Sequence, residues 1–500
     1  MKSGFIVFAA AALVGSVVAL FAGDGNGWVA LGPLIAFGLL WAIWRLPLRG
    51  TLMTMMFLAL ALNSPLERPH AGRWTPPWST LCDLLFNNLH HTLHIPFLRF
   101  SAMEFLIFYV VGIAAWRRAT GSRIDPPPPP APRPLIRALG LSFVAVLALW
   151  GYGLARGGAD FTQSVWQMRA LLVTPVVAGL FAHVLREPRD QQTLWRVIIW
   201  AALVKVALGA YFYFAICRPA GLQPPYVTTH TDSVLFCLAI VVCVANWWEC
   251  PTKRNAAFAA AIVPLVGVGL VLNDRRLAYV SLGAMLLTLV LVSPWNRAKR
   301  AMARALLVCT PLVLAYGAVG WSSSSRLFTP VQVLRSVTTS DTGSDRDRST
   351  EFRDLENQNL VTTLEPHPLL GQGFGHGYNE VIILPSIAAV MPFYRFLPHN
   401  SVLWLFTLGG ALGFSALWLY LVVGVFFAAR AYHHAVRPLD RASMLVALCA
   451  VVAYLNQAFG DMGVLAYGSV FTIGPAVGLA GTLACRVGAW AGQRDEVAPS

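Results

Sequence analysis

Charged residues are scarce in this chain of 500 residues: Asp, Glu, Lys and Arg make up 12%, whereas apolar residues make up 57%. A soluble domain carries about 25% charged residues, most of them on its surface. So few charges cannot cover so much apolar surface in water, which excludes the two to four soluble domains that this length would otherwise allow. The composition predicts a membrane protein, and the seventeen Trp and thirteen Tyr suit many membrane–water boundaries.

Cysteine is also scarce, and the eight Cys, mostly inside apolar runs, do not form a disulfide framework. Cys82 and Cys217 alone fall in segments predicted outside the cell membrane. A bridge between them stays an open alternative, because spacing alone cannot establish one. The net charge of +14 comes from Arg dispersed among apolar runs, which is not a basic groove for nucleic acid.

Fourteen apolar runs approach the roughly 20 residues that a helix needs to cross a bilayer. They predict an all-α, polytopic integral membrane bundle of about 12–14 transmembrane helices with one large periplasmic loop subdomain. The first run is not a cleaved signal peptide in this interpretation, because an uninterrupted series of spans follows it. The predicted spans are 4–22, 28–45, 48–63, 97–116, 135–154, 170–185, 195–215, 231–248, 256–272, 277–293, 303–321, 400–427, 443–459 and 463–485.

The distribution of Lys and Arg predicts the orientation of these spans. With the N-terminus in the cytoplasm, the cytoplasmic segments hold 22 positive residues and the outside segments hold 14. Six of those 14 lie in the long loop 322–399, and long loops count little in this rule. We therefore predict that both termini are cytoplasmic and that the long loop lies outside.

The spans and their connections divide the chain into five segments. Asp125 and the five Pro that follow it predict a stiff polyproline spacer within a cytoplasmic linker. The loop of nearly eighty residues is far longer than the other connections, and loops of such length are usually functional or disordered. The segments are N-terminal helices 1–116, linker 117–134, central helices 135–321, the external loop 322–399, predicted to be functional, and C-terminal helices 400–490.

Arg275 and Arg276 lie in the four-residue connection Asn273–Arg276 between two predicted spans. Guanidinium groups are costly to keep at the external boundary of a membrane span, where the positive-inside rule disfavours them. Arg binds phosphate in a bidentate manner and stays charged. The pair predicts a grip on an anionic lipid head group or a diphosphate, and an ordinary interfacial pair is the alternative.

The long loop contains a segment with helical spacing, Glu351 to Leu360. Phe352, Leu355 and Asn359 would share one face of that helix, and Arg353 another. Charge clusters of this kind are usually solvated, so Arg353 is a weak candidate on spacing alone.

Gly371 and Gly373 begin a Gly-rich turn that allows positive φ angles and could form an anion-binding nest. Farther on, His399 sits where the loop meets the next span, and Asn400 can cap that helix. The positive end of the helix dipole favours a neutral imidazole, which can accept a proton from an attacking hydroxyl. A purely structural histidine is the alternative.

Three other patterns are weaker signals. Asp345 and Asp347 match the Asp-x-Asp pattern of metal and nucleotide-sugar sites, but nucleotide sugars are cytoplasmic and this loop is external. His90 and His94 lack an acidic third ligand and predict an interfacial helix rather than a zinc site. Lys205, within a span, is either part of an ion path or paired inside the bundle.

Several of these motifs occur together in one family of proteins. Residues 256–430 combine many spans, a large external loop, a Gly-x-Gly turn after Pro-Leu, and Pro-His-Asn at the start of the next span. This region resembles the O-antigen ligase and O-antigen polymerase superfamily of bacterial inner membranes. The first two hundred residues match that superfamily only as a hydropathy pattern.

The resemblance implies a glycosyltransferase that works on the periplasmic side without a cofactor, metal or nucleotide. Such enzymes take a glycan from undecaprenyl diphosphate and attach it to a sugar hydroxyl, either of the lipid A core or of a lipid-linked repeat unit. The resemblance assigns the boundary arginine to Arg275 or Arg276, the loop arginine to Arg353 and the catalytic histidine to His399. The setting here is Asp-Arg-Arg instead of the usual Ser-x-Arg, which leaves the choice between Arg275 and Arg276 open.

Two alternatives stay open at this point. Glycan transfer to a Ser of a secreted protein is one, and a transporter or flippase of anionic polyprenyl-linked glycans is the other. The spans contain few ionisable residues, mainly Lys205 and Glu104, and the sequence has no obvious internal repeat. Both features disfavour transport.

Overall fold

All regular secondary structure in the described part of the chain is helical. In the computed structural model, only the helical backbone is described for residues 27–30, 297–298, 305–306 and 345–350. The residues it describes are 9–10, 12–17, 27–63, 74–90, 99–224, 226–295, 297–323, 325, 328, 330–332, 335, 345–384 and 393–491.

The helices fall into two groups, before and after the long loop. Up to the loop they are α1 (Gly27–Arg45), α2 (Leu48–Ala61), α3 (Ser79–Phe86), α4 (Ala102–Ala119), α5 (Arg133–Ala155), α6 (Phe161–Val184), α7 (Pro188–Tyr211), α8 (His230–Glu249), α9 (Lys253–Asn273), α10 (Arg276–Val292) and α11 (Arg297–Trp321). A π-helical turn, Phe212–Cys217, extends α7. In and after the loop they are α12 (Asp345–Leu364), α13 (Ser401–His434), α14 (Pro438–Gly460) and α15 (Tyr467–Arg486).

The helices confirm the predicted all-α membrane bundle. Among the described residues, eight helices are long and apolar enough to cross a bilayer, and four shorter apolar helices accompany them. Every predicted span except the first coincides with one of the helices above. Of the first span, 4–22, only residues 9–10 and 12–17 are described, and they are helical.

The chain divides into two compact units. The smaller comprises residues 1–54 and 106–127, and the larger comprises 55–105 and 128–500. One boundary falls within the Pro run that follows Asp125, and the division cuts across the predicted segment 1–116. Within the smaller unit, buried Arg117 pairs with Asp125 and donates to the carbonyls of Trp44 and Leu46. The first part of the linker is therefore fixed to the helices of its own unit.

Within the larger unit, α8 and α14 define two ends of the bundle. His230, which begins α8, pairs with Asp461, which follows α14, while Glu249 at the other end of α8 pairs with Arg441. We name the first the loop end, because the chain enters and leaves the long loop there. The connections at the loop end are 156–160, 218–229, 274–275, 322–400 and 461–466. Those at the opposite end are 185–187, 250–252, 293–296 and 435–437.

Burial separates the core of the larger unit from its lipid-facing helices. Helices α6, α8, α14 and α15 are mostly buried, whereas α9 is mostly exposed. On α11, Leu307, Val308 and Leu312 each expose more than 70% of their surface. Apolar surface of this extent in water would be unfavourable, and a hydrocarbon environment accommodates it.

The cysteines in described segments are free thiols, so Cys82 and Cys217 are not bridged. The thiol of Cys82 donates to the carbonyl of Leu62, and Cys217 packs in a hydrophobic cluster with Leu208, Phe212 and Val227. Cys82 is therefore held by a hydrogen bond, and Cys217 contributes to apolar packing.

Candidate functional site

Helix α12 anchors the long loop to the bundle, and it confirms the helix predicted over 351–360. Asn359 accepts the N–H of Ile382 and donates to the carbonyl of the same residue, both at 2.8 Å. Phe352, Leu355 and Asn359 share one face, as predicted, and the structure shows that this face points inward. Phe352 and Leu355 pack against a hydrophobic cluster formed by Leu360, Tyr378 and Leu384, with Leu403 of α13 beside it. The anchored helix fixes the direction of its polar side chains.

His399 and Glu356 form a hydrogen-bonded pair at the start of α13. The Nδ1 atom of His399 lies 3.0 Å from Oε2 of Glu356, which also accepts the backbone N–H of His399 at 2.9 Å. Glu356 is 1% exposed, whereas the side chain of His399 is 22% exposed. Because a carboxylate only accepts, Nδ1 carries a proton and Nε2 of the neutral ring has a free lone pair. This is the orientation that a general base needs.

The chain segment that carries His399 is held by the helix that follows. Asn400 caps α13, as predicted, and its Oδ1 accepts the N–H groups of Val402 and Leu403 at 3.1 Å. The hydroxyl of Ser401 donates to the carbonyl of Asp461 at 3.2 Å. The second contact links the His399 segment to the end of α14.

Arg353 lies one turn before Glu356 on α12 and acts on Asp461 through its charge. Asp461 is buried and pairs with Nδ1 of His230 at 2.6 Å. Burial acts to raise the pKa of Asp461, but the His230 ring, the Met462 N–H and the Arg353 guanidinium outweigh it and hold that pKa below its ordinary value. The Nε atom of Arg353 is buried and makes no hydrogen bond to any described residue.

Arg275 reaches the same region from the turn between α9 and α10. The Asn273 side chain ties this turn to the start of α8, since it accepts from Thr228 N–H at 3.0 Å and donates to the Thr229 carbonyl at 3.1 Å. Asp274 adopts the left-handed conformation with φ +43° that ends α9. The guanidinium of Arg275 then stacks on the ring of Tyr226, 3.2 Å from its centroid.

Ring contacts, ion pairs and one electrostatic interaction link the predicted residues. The Tyr226 ring on which Arg275 stacks lies 6.2 Å, between ring centroids, from that of His230. His230 pairs with Asp461, Arg353 acts on Asp461, and Arg353 shares a helix with Glu356, the partner of His399. The predicted residues Arg275, Arg353 and His399 thus belong to one group at the loop end. Arg276 is the first residue of α10, and Arg275 is its N-cap.

The Gly-rich turn contributes by packing. Gly371 and Gly373 have φ of +63° and +82°, and a Cβ on Gly373 would lie 2.3 Å from the Cα of Gly153 in α5. Five consecutive N–H groups, from residue 371 to 375, donate to the carbonyls of His367, Thr407, Leu408 and Leu149 and to Oε1 of Gln167. The turn offers no N–H group to an anion, so the predicted nest is wrong and the glycines serve close contact between the loop and the helices.

Sequence reasoning missed four members of this group: Tyr226, His230, Glu356 and Asp461. His230 and Asp461 are ionisable residues at the ends of apolar spans, where retention of charge is itself a functional signal. Glu356 lies within the segment singled out for Arg353, three residues farther along the same helix. Nothing in the sequence indicates that Glu356 meets His399, because 43 residues separate the two.

The structure also bears on the two weak metal-site patterns and on Lys205. No group of three metal-binding side chains occurs among the residues that the structure describes. The side chains of Asp345 and Asp347, and the whole of His94, lie outside that part. Lys205 is fully buried and pairs with Asp232 at 3.0 Å, so it has its counter-ion inside the bundle.

No protein-family model matches this chain, and no curated protein matches it. The family resemblance therefore rests on the motifs of residues 256–430 alone.

Proposed function

We propose that this membrane protein is a glycosyltransferase that moves a glycan from undecaprenyl diphosphate to an acceptor sugar hydroxyl at the periplasmic face. The observation that carries the proposal is the pairing of His399 with buried Glu356, one helical turn from Arg353. A base oriented by a carboxylate and a nearby cation are the groups that transfer from a diphosphate requires. The motif resemblance supplies the donor and the class of acceptor.

In the proposed reaction, His399 accepts the proton of the acceptor hydroxyl at Nε2. The acceptor oxygen forms a bond to the anomeric carbon while the bond from that carbon to the diphosphate oxygen breaks, and the electron pair leaves with the diphosphate. Attack opposite the leaving group inverts the anomeric configuration. Glu356 holds the ring and stabilises the imidazolium that forms.

The departing diphosphate gains negative charge, and fixed guanidinium groups stabilise that charge without a metal. Arg353 suits this role because its buried Nε makes no hydrogen bond to the described residues. Arg275 suits it because stacking on Tyr226 fixes the plane of its guanidinium. Between the two boundary arginines, this contact favours Arg275 as the diphosphate ligand.

Lys205 and Glu104, the main ionisable residues within the spans, are both paired, and this favours catalysis over transport. Lys205 pairs with Asp232, and Glu104 pairs with Arg169 at 2.9 Å. Buried charges that are paired within the bundle stabilise one conformation, whereas a transport path needs groups that exchange partners.

Reconstitution tests the proposal: the purified chain is placed in liposomes with a defined undecaprenyl-diphosphate oligosaccharide and two competing acceptors, lipid A core and a second lipid-linked unit. Product on the core identifies a ligase, and lengthened lipid-linked chains identify a polymerase. Transfer that persists in chelator is expected. Movement of the intact donor across the bilayer without transfer would contradict the proposal and favour a flippase.

A further inference from the structure

A cavity of about 880 Å³ opens at the opposite end of the bundle, between α7, α8 and α9. Ligand sites in proteins commonly have volumes of about 300–1,000 Å³. The walls are largely apolar, with Ile199, Val242 and Phe258 among them, and they also carry Arg196 and Arg254. The cavity therefore combines hydrocarbon surface with two permanent positive charges, and none of the described residues that line it is acidic.

Both arginines lie near the starts of their helices, at the end of the bundle that is cytoplasmic in the predicted orientation. Arg196 is exposed about two helical turns after Pro188 at the start of α7, and Arg254 is exposed in the first turn of α9. Neither guanidinium has a hydrogen bond or ion pair with another residue in the described part of the chain. Exposed basic residues near the cytoplasmic ends of membrane helices attract anionic lipid head groups.

The acidic side chains nearby are already used by other partners. Glu249 binds Arg441 at 2.8 Å and the hydroxyl of Tyr432 at the same distance. Asp440 binds Arg486 at 2.6 Å and accepts from Gln191 at 3.0 Å. Positive charge at the cavity is therefore not neutralised by these carboxylates.

We propose that this cavity binds an anionic phospholipid of the surrounding bilayer. Its phosphodiester would lie between Arg196 and Arg254, and its hydrocarbon chains would cover Ile199 and Phe258. A free phosphate ion would satisfy the guanidinium groups but leave the apolar walls uncovered. A zwitterionic lipid would cover the walls but bring its own cation to the two arginines. Basic pockets between membrane helices recognise anionic head groups in this manner.

The test is a titration of fluorescent phosphatidylglycerol into the full chain in neutral detergent. Arg196→Gln and Arg254→Gln should each weaken binding about fivefold, and the double variant about 25-fold, since each basic residue contributes comparably near a lipid surface. Arg189→Gln is the matched control, because Arg189 is exposed on the same helix and does not line the cavity. The control should bind as the wild type does.

Two further ligands, a zwitterionic lipid and free phosphate, show whether binding needs both the anionic head group and the hydrocarbon chains. Phosphatidylcholine should bind at least tenfold more weakly than phosphatidylglycerol, and inorganic phosphate should not displace the lipid. Equal affinity for the two lipids, displacement by phosphate, or unchanged binding in the double variant would each overturn the proposal. Glycan transfer is measured separately at the loop end, so failure of the lipid site leaves the proposed enzymatic function untouched.

Discussion

Two arginine environments in the larger unit contrast sharply: the one around buried Arg169 and the one around half-buried Arg353. Arg169 of α6 pairs with Glu104 and donates to the side chains of Asn88 and Tyr467. It also donates to the carbonyls of Arg99 and Phe86. Arg353 acts on Asp461 through charge, and its buried Nε has no hydrogen-bond partner among the described residues.

The difference separates a guanidinium that stabilises the fold from one that can serve a substrate. The partners of Arg169 lie between Phe86 and Glu104, the latter in the first turn of α4, and in α15, so the side chain holds that stretch against the bundle. An unsatisfied buried group is costly to the fold. Such a cost is tolerated where a ligand completes the hydrogen bonds, and the region of Arg353 fits that description.

Arg169→Ala should have the largest effect on the fold. Removal of one partner from a buried ion pair costs about 3–5 kcal/mol, because the other charge is left unpaired. We expect little folded protein, measured as monodisperse material recovered in detergent. Arg218→Ala, at an exposed position at the loop end, is the control. Normal recovery and stability of the Arg169 variant would contradict the structural role that distinguishes Arg169 from Arg353.

His399→Ala should abolish most transfer and leave the fold intact. A general base contributes about 10²–10⁴-fold to rate, and the partly exposed ring makes one side-chain hydrogen bond. The measurement is the initial rate of transfer in liposomes, with the thermal unfolding temperature recorded in parallel. His434→Ala, an exposed histidine at the opposite end, is the control. A normal rate in the His399 variant would exclude that residue from the mechanism.

Arg353→Gln should lower the rate of transfer about 10²–10³-fold, the usual loss when one group that stabilises developing charge is removed. Its effect on folding should be small beside that of Arg169→Ala. The comparison is made with Arg218→Gln at the same end. If the Arg353 variant loses stability but the remaining folded protein keeps its rate, then Arg353 belongs with Arg169 as a structural residue.

Asp461→Asn should have the smallest effect, and a pH-dependent one. The lowered pKa of Asp461 means that its charge stabilises the folded state fully above the ordinary value of 3.8, and that this stabilisation is lost as pH falls through the folded value. At about pH 6 the variant should unfold about 1–3 °C below the wild type. The gap should close below pH 3.8. A gap that does not depend on pH would contradict the charge assignment.

The sequence predicts the bundle well because hydropathy records lipid contact. It places α6 less well: the predicted span 170–185 begins nine residues after the helix does. The first turns of α6 carry Gln163, Ser164 and Gln167, which a hydropathy scale counts against a membrane span. In the fold these side chains are buried and bond within the protein, as Gln167 does to the loop residues His376 and Phe396.

Part of the site was also predictable from the sequence, because two of its residues lie at the ends of apolar spans. Arg275 and His399 sit at helix boundaries, where their position along the chain already indicates where they lie. Glu356 and His230 acquire a role only through partners that are distant in sequence, His399 and Asp461. The glycines show the converse: three alternate Gly permit an anion nest, but only the positions of α5 and α13 reveal that their N–H groups are already bonded.

The most direct test of the central claim is a double-mutant cycle on His399 and Glu356, measured as the rate of glycan transfer by folded protein in liposomes. If Glu356 acts by holding the His399 ring, Glu356→Gln should slow transfer about 10–100-fold, and adding it to His399→Ala should cause no further loss. Independent, multiplicative losses, or a Glu356 variant as active as the wild type, would contradict the account.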